Sequence, residues 1–131
     1  MMKALRLDHL VLNVADLDLT CDFYERVLGM QAISFSSGGI ERRALRFGEQ
    51  KINLHQAGNE FEPKADTPTP GSADLCFIVD QTMDEMVAHL QTHGVAIEEG
   101  PVQRTGAEGP IMSIYFRDPD GNLIEVSRYL G

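Results

Sequence analysis

A chain of 131 residues, 43% of them apolar and 24% charged, has the size and composition of one ordinary folded domain. Twenty acidic against eleven basic residues give a net charge of -9, which argues against nucleic acid and anionic membrane surfaces as partners. No stretch approaches the roughly 20 apolar residues of a membrane span, and the amino terminus lacks a secretory pattern, so we expect a cytoplasmic protein. Cys21 and Cys76 lie in apolar-patterned segments and are expected to be reduced and buried.

The chain contains an internal repeat. Laying residues 8–30 over residues 73–95 at a constant offset places Gly29 on Gly94. Each copy begins with a β-type apolar run, continues as a helical pattern and ends in glycine before further β-type runs. Two copies in so short a chain must share one core, so we predict an α+β protein with two βαβββ modules.

The predicted elements follow this repeat in chain order. The first helix is expected to bury the face that carries Thr20, Phe23, Tyr24, Val27 and Leu28 and to end at Gly29. The second helix opens at Thr82 with Glu85 as a capping box and closes at Gly94. Strands are predicted at residues 30–35, 40–47, 51–55, 95–98, 111–116 and 123–127, whereas residues 100–110 are predicted to form an irregular loop.

The opening segment Asp8-His9-Leu10 and the closing segment FRDPDGNLIEV (residues 116–126) together resemble the vicinal oxygen chelate superfamily. That superfamily includes glyoxalase I, extradiol dioxygenases, and fosfomycin and bleomycin resistance proteins. The segments INLH, EFEPKA and GPIMSIYFRDPD are most similar to its glyoxalase domain-containing protein 5 group. The resemblance implies one domain over residues 1–131, with module 1 at about 5–56, a linker at 57–72, module 2 at about 73–129, and a cleft in the curled mixed sheets.

The resemblance also implies a metal site. The metal-ligand positions of the family fall on His9, Asn53, Asp74 and Glu125 of this sequence. Asn53 and Asp74 depart from the residue types common there, since relatives usually carry Glu or Gln at the first and His at the second. Glu125 alternates with apolar neighbours on a strand, and a carboxylate facing a sheet interior needs a partner, for which a divalent cation is suitable.

Two alternatives for completing the ligand set stay open. Asp74 is a competent oxygen ligand, and His55 lies on the same strand face as Asn53, where it could bind either metal or substrate. Imidazole and carboxylate ligands suit one divalent ion of iron, manganese, nickel or zinc. His89 and His93, on the outer part of the second helix, are expected to be ordinary surface residues.

Substrate contacts are expected from Asn53, Ser113, Tyr115 and Arg104. Ser113 and Tyr115 share a strand face, and the corresponding positions of fosfomycin-type relatives contact substrate. Arg104 could clamp a phosphate, carboxylate or phosphonate through two hydrogen bonds.

The resulting hypothesis is a metal-dependent glyoxalase-like lyase or isomerase, with Glu125 as catalytic base and a small substrate that chelates the metal through vicinal oxygens. One alternative is an extradiol-type ring-cleaving dioxygenase, which would require two histidines and one carboxylate around ferrous iron. Another is a metal-free drug- or metabolite-binding protein of the bleomycin-resistance type. Open sheet edges and the resemblance both favour a homodimer.

Overall fold

The computed structural model describes residues 1–131, which form eight strands and two helices. In chain order the elements are β1 (His9–Val14), α1 (Leu17–Leu28), β2 (Gln31–Ser37), β3 (Ile40–Phe47), β4 (Gln50–Gln56), β5 (Asp74–Ile78), α2 (Met83–Thr92), β6 (Glu99–Gly106), β7 (Gly109–Arg117) and β8 (Leu123–Tyr129). They group into two compact units, residues 1–70 and 71–131.

Each unit holds one helix and one four-stranded mixed sheet. The strand order is β1-β4-β3-β2 in the first sheet and β5-β8-β7-β6 in the second. In both, the first strand pairs in parallel with the last, and the remaining pairs are antiparallel. The two sheets therefore repeat one topology, which confirms the predicted α+β class and the duplicated β-α-β-β-β pattern.

The predicted start of α2 at Thr82 and the predicted end of α1 at Gly29 are confirmed, whereas α2 ends at Thr92 with His93 as its C-cap, just before the predicted stop at Gly94. The side chain of Asp16 accepts a hydrogen bond from the Leu19 N–H at the start of α1, and Gly29 adopts the left-handed conformation at its end. Thr82 and Glu85 form the complete reciprocal capping box of α2. Neither helix has the length and apolar character that crossing a membrane would require.

The core of each unit is built from the periodic apolar positions. In the first unit α1 buries Thr20, Phe23, Tyr24 and Val27, as its helical spacing predicts, whereas Leu28, at the end of the helix, is only half-buried. In the second unit the fully buried side chains include Ile114, Phe116 and Ile124, which lie on one face of β7 and β8. The opposite face of each sheet remains available for polar side chains.

The prediction for residues 95–110 is wrong. No strand forms at residues 95–98, and β6 instead occupies most of the segment that was predicted to be a loop. As an edge strand, β6 tolerates Pro101, and the pairing with β7 shifts between Glu99 and Val102. Gly100 has a φ of 110°, and a Cβ there would collide with the carbonyl of Ser113, so only glycine permits this approach.

Candidate functional site

Buried polar side chains fasten the turn that precedes β8. Oδ1 of Asp118 accepts the backbone N–H groups of Asp120 and Asn122, at 3.0 and 2.9 Å. Nδ2 of Asn122 donates to the other oxygen of Asp118 at 2.7 Å, and its Oδ1 accepts the N–H of Ala73 at 2.8 Å. Because Ala73 immediately precedes β5, this network fixes where β8 lies against β5, and with it the position of Glu125.

Register then gathers polar side chains on one face of the second sheet. Glu125 on β8 pairs with Cys76 on β5 and with Tyr115 on β7. Since directly paired residues project to the same side, these three side chains share a face. Asp74 lies two residues before Cys76 on β5 and therefore joins them.

This face forms a pocket of about 420 Å³ that lies entirely within the second unit. Its lining combines apolar, aromatic and charged side chains and consists of Cys76, Ile78, Arg104, Thr105, Gly106, Ala107, Ile111, Tyr115, Glu125 and Tyr129. The volume and the small number of convergent polar groups suit a small organic ligand.

Two buried hydroxyls hold the carboxylate of Glu125. Ser113 Oγ donates to Glu125 Oε2 at 2.6 Å, and Ser127 Oγ donates to the same oxygen at 3.3 Å. The two serine oxygens are 2.7 Å apart, and both residues are fully buried. Ser113 therefore lies beneath Glu125 and is not among the lining residues, whereas the thiol of Cys76 and the hydroxyl of Tyr115 also interact with this carboxylate from the pocket side.

Arg104 and Tyr115 form a second polar pair in the pocket wall. Arg104 Nε donates to the phenolic oxygen of Tyr115 at 3.0 Å, and its Nη2 bonds to Glu99 at 2.9 Å. Desolvation raises the pKa of Tyr115, and the hydrogen bond from Arg104 partly opposes that rise. Arg104 thus lies on strand β6, with a guanidinium held by hydrogen bonds, and not in the irregular loop predicted for residues 100–110.

The prediction of two buried thiols holds for Cys21 and is wrong for Cys76. Cys76 is exposed in the pocket because strand alternation places it on the face of Asp74 and Glu125. Its sulfur lies 3.3 Å from Ser127 Oγ. Partial desolvation raises the pKa of the thiol.

In the first unit, His9 lies on β1 with its side chain exposed. Its Nδ1 donates to Asp8 Oδ2 at 2.8 Å. That bond fixes the tautomer in which Nε2 carries the lone pair, which is the arrangement that metal-binding histidines usually have. The same bond lowers the pKa of the Asp8 carboxyl.

Asn53 and His55 lie on the face of the first sheet that also carries His9, since β4 pairs with β1. Asn53 is only 6% exposed, and its buried Oδ1 has no hydrogen-bond partner. Arg42 Nη2 donates to His55 Nε2 at 3.0 Å, and the ring of Phe61 packs edge-on against the imidazole. This hydrogen bond occupies the Nε2 lone pair, so His55 is not prepared for metal binding in this arrangement.

Burial of His55 also affects its protonation. Desolvation lowers the pKa of the imidazole, and the positive charge of Arg42 lowers it further. The guanidinium of Arg42 lies 4.6 Å from the centre of the Phe61 ring. His55 is therefore a neutral, buried acceptor within a cluster of cationic and aromatic side chains.

The predicted site residues thus fall into two sets. Asp74, Glu125, Ser113, Tyr115 and Arg104 lie on one face of the second sheet, and His9, Asn53 and His55 on one face of the first. Neither unit groups three or more His, Cys, Asp or Glu side chains that could hold a metal ion. In the first unit, the oriented imidazole of His9 and the unpartnered amide oxygen of Asn53 are donor types that suit a divalent cation, and in the second unit the carboxylates of Asp74 and Glu125 are too.

Sequence reasoning missed several residues of these sites. Ser127 and Cys76 could have been found by alternation, because each lies two residues from a predicted site residue on the same strand. Alternation along a strand could not have identified Arg42, because Arg42 and His55 lie on different strands.

Residues 6–126 match the Glyoxalase/Bleomycin resistance protein/Dioxygenase superfamily. The chain is 59% identical to Virulence protein STM3117 of Salmonella typhimurium over 95% of this chain and 85% of that protein. It is also 59% identical to the Glyoxalase domain-containing protein RDO1 of Mycosarcoma maydis, over 94% and 68% of the two chains. The structure of an integron cassette protein from V. cholerae is 62% identical, with a TM-score of 0.93 and 99% of both chains covered.

Two solved structures with lower sequence identity are of proteins with a named activity or bound ligands. A lactoylglutathione lyase of Agrobacterium tumefaciens is 25% identical, with a TM-score of 0.68 over 94% and 92% of the chains. The fosfomycin resistance protein FosX of Listeria monocytogenes, complexed with Mn(II) and sulfate, is 21% identical, with a TM-score of 0.66 over 99% and 93%. The second of these shows a shared fold alone.

Proposed function

Since the chain belongs to the glyoxalase/bleomycin resistance protein/dioxygenase superfamily, we propose that it is a metal-dependent lyase or isomerase for a small substrate with two neighbouring oxygens. The observation that carries the proposal is the carboxylate of Glu125. It stands in the wall of a ligand-sized pocket, and one of its oxygens is fixed by two serine hydroxyls. A carboxylate held in one position in this way is suited to move a proton to or from one atom of a bound substrate.

The proposed ligands of one divalent metal are His9, Asp74 and Glu125. The hydrogen bond from His9 to Asp8 supports this role, because it presents Nε2 as the free donor. When bound, a divalent metal would draw negative charge onto adjacent substrate oxygens. Nitrogen and oxygen donors without thiolate are compatible with iron, manganese, nickel or zinc.

The remaining polar groups of the pocket would orient the substrate. Arg104 presents a guanidinium held by Tyr115, Glu99 and the carbonyl of Gln103, and the second hydrogens of its Nη1 and Nη2 are the ones that a carboxylate, phosphate or phosphonate group would accept. The Tyr115 hydroxyl lies on the face of Glu125, where it could bind a substrate oxygen. Glu125 would remove a proton from the carbon between these contacts and return it to the neighbouring position.

The two rival hypotheses are less well supported. An extradiol dioxygenase would need a second histidine ligand, and the bond from Arg42 to His55 engages the nearest candidate. A metal-free binding protein would not need the oriented imidazole of His9.

We further propose that the protein acts in the cytoplasm as a homodimer and belongs to the glyoxalase domain-containing protein 5 group. Each sheet ends in two edge strands that a second copy could cover, which supports the dimer. Similarity to a glyoxalase domain-containing protein supports the group. A monomeric mass by light scattering at micromolar concentration would reject the dimer.

Manganese binding tests the proposed metal site. Metal-free protein titrated with Mn(II) in a calorimeter should bind about one ion per chain, and Glu125→Gln should abolish that binding. Glu108→Gln is the matched control, because this exposed glutamate lies in the turn before β7. A parent that binds no Mn(II), or a Glu125→Gln variant that binds as the parent does, would reject the proposal.

A further inference from the structure

His89 on α2 and His93, the residue that caps the end of α2, lie close together, away from the strand faces described above. His89 and His93 lie four positions apart, and their rings are 4.5 Å apart between centroids with planes tilted by 59°. His89 is exposed and His93 is half-buried. Residues four apart on a helix project to the same side, so the contact follows from helical geometry.

The separation of the two rings matches that of a chelating pair. A metal about 2.1 Å from one nitrogen of each ring lies about 3.2 Å from each ring centre, which places two rings in adjacent coordination positions about 4.5 Å apart. The observed centroid distance is 4.5 Å. The separation of the two rings is therefore compatible with their binding one ion together.

The helix holds this pair in a fixed frame. Met86 and Leu90 are buried and anchor α2, and the backbone N–H of His93 bonds to the carbonyl of His89 at 3.1 Å. Glu85, one turn before His89, is engaged by the capping box through the N–H of Thr82. The site consequently offers two imidazoles, and water would complete the coordination.

We propose that His89 and His93 form a second metal site, which chelates a borderline divalent cation and prefers Cu(II) to Ni(II) and Zn(II). Pairs of histidines four residues apart on a helix bind zinc on one face in metalloproteases, so the spacing is chemically sufficient. Two neutral nitrogen ligands with open positions favour Cu(II), which stands highest in the general order of divalent affinities. The site is independent of the function proposed above, because it shares no residue with the pocket.

Metal binding at this site would stabilise the protein. An ion that bridges the last turn of α2 binds the folded helix and not the unfolded chain, so it adds to the free energy of unfolding. Since protons compete for the same nitrogens, both binding and stabilisation should weaken on acidification.

Copper titration of the metal-free full-length protein tests the proposal. Calorimetry should reveal a binding event that weakens at least about tenfold in both His89→Ala and His93→Ala, since each removes half of the protein ligands. Electron paramagnetic resonance of the parent should show two nitrogen ligands for this ion. Gln91→Ala, an exposed change on the same helix, is the matched control and should bind Cu(II) as the parent does.

The Glu125→Gln variant separates this site from the pocket. It should keep the copper-binding event that the histidine variants lose, although it loses Mn(II). Circular dichroism before titration establishes that α2 is intact in each variant. Undiminished copper binding in either histidine variant, or loss of this event in Glu125→Gln, would overturn the proposal.

Discussion

The hydroxyl of Ser113 donates a 2.6 Å hydrogen bond to Oε2 of Glu125 from a position that is fully shielded from solvent. Partners of this kind fix the rotamer of a metal-binding carboxylate, and their loss usually costs 10- to 100-fold in metal affinity, on the order of 1.4–2.7 kcal/mol. We expect Ser113→Ala to weaken Mn(II) binding by about that factor. Ser127→Ala should have a smaller effect, because its contact with Oε2 is 3.3 Å. Equal affinity in Ser113→Ala and the parent would show that Glu125 does not depend on this support.

His55 should make stability depend on pH. Its pKa is lowered in the folded protein from 6.5, so below that pH the unfolded chain binds more protons than the folded one. The contribution of neutral His55 is thus complete above about pH 6.5 and is lost as the pH falls towards its folded pKa. Urea unfolding at pH 7.5, 6.5 and 5.5 should show a smaller decline in His55→Gln than in the parent. Parallel declines in the two proteins would contradict this.

Only one of the two thiols should react quickly in the native state. Cys76 is exposed in the pocket, whereas Cys21 is buried in α1. A thiol reagent such as Ellman's reagent should therefore modify about one cysteine per folded chain and two after unfolding. The thiolate is the form that reacts, and the pKa of Cys76 is raised. The rate of its modification should therefore keep rising as the pH is made more alkaline. Cys76→Ser should eliminate the rapid phase and Cys21→Ser should preserve it; the reverse pattern would place the accessible thiol in α1.

Asn122 should be the most sensitive polar residue of the second unit. Its amide bonds both to Asp118 and to the backbone of Ala73, and it is 1% exposed. Asn122→Ala leaves a buried carboxylate and a buried N–H with fewer partners, which should cost about 2–4 kcal/mol of unfolding free energy. Urea denaturation measures that cost. A loss below about 0.5 kcal/mol, the scale of ordinary surface changes, would mean that the turn is held by other contacts.

Asp74 should determine which metals the site prefers. Replacing its carboxylate with imidazole in Asp74→His should improve affinity for Zn(II) and Ni(II), because both bind nitrogen ligands well. This comparison is best made with His89→Ala present, which removes the proposed helical site from the measurement. The parent loaded anaerobically with ferrous iron and then exposed to air should not cleave catechols. Catechol cleavage, or metal binding unchanged in both Asp74→His and Asp74→Ala, would favour the dioxygenase hypothesis.

Local signals in the sequence were sufficient for much of the fold. Thr82 and Glu85 mark the start of α2 through contacts that span only three residues, and Gly29 marks the end of α1 through its own backbone conformation. β6 was harder to predict, because Gly100 and Pro101 have the composition of a loop. Their place in a strand depends on pairing with β7 across a bulge, which local composition does not encode.

The candidate site likewise contains residues that the sequence could predict and contacts that it could not. Glu125 was assigned through the resemblance of residues 116–126 to the vicinal oxygen chelate superfamily, and its alternation with apolar neighbours, which is visible in a few consecutive residues, agrees with that assignment. The bond between Arg42 and His55 could not be read in this manner, because it depends on the register between two strands. Sequence reasoning consequently treated His55 as a possible ligand, whereas the structure gives its Nε2 a protein partner.

The position of β6 at the edge of its sheet has a consequence for the divergence of related proteins. Glu125 and Tyr115 project from the two central strands, whose ladders are paired on both sides, whereas Arg104 projects from a strand that is paired on only one side. An edge strand with a bulge can gain, lose or shift residues without disturbing the central ladder. Selection could therefore alter the wall that carries Arg104 while the carboxylate stays in place, so that new ligand preferences would arise through β6 before they arise through β7 or β8.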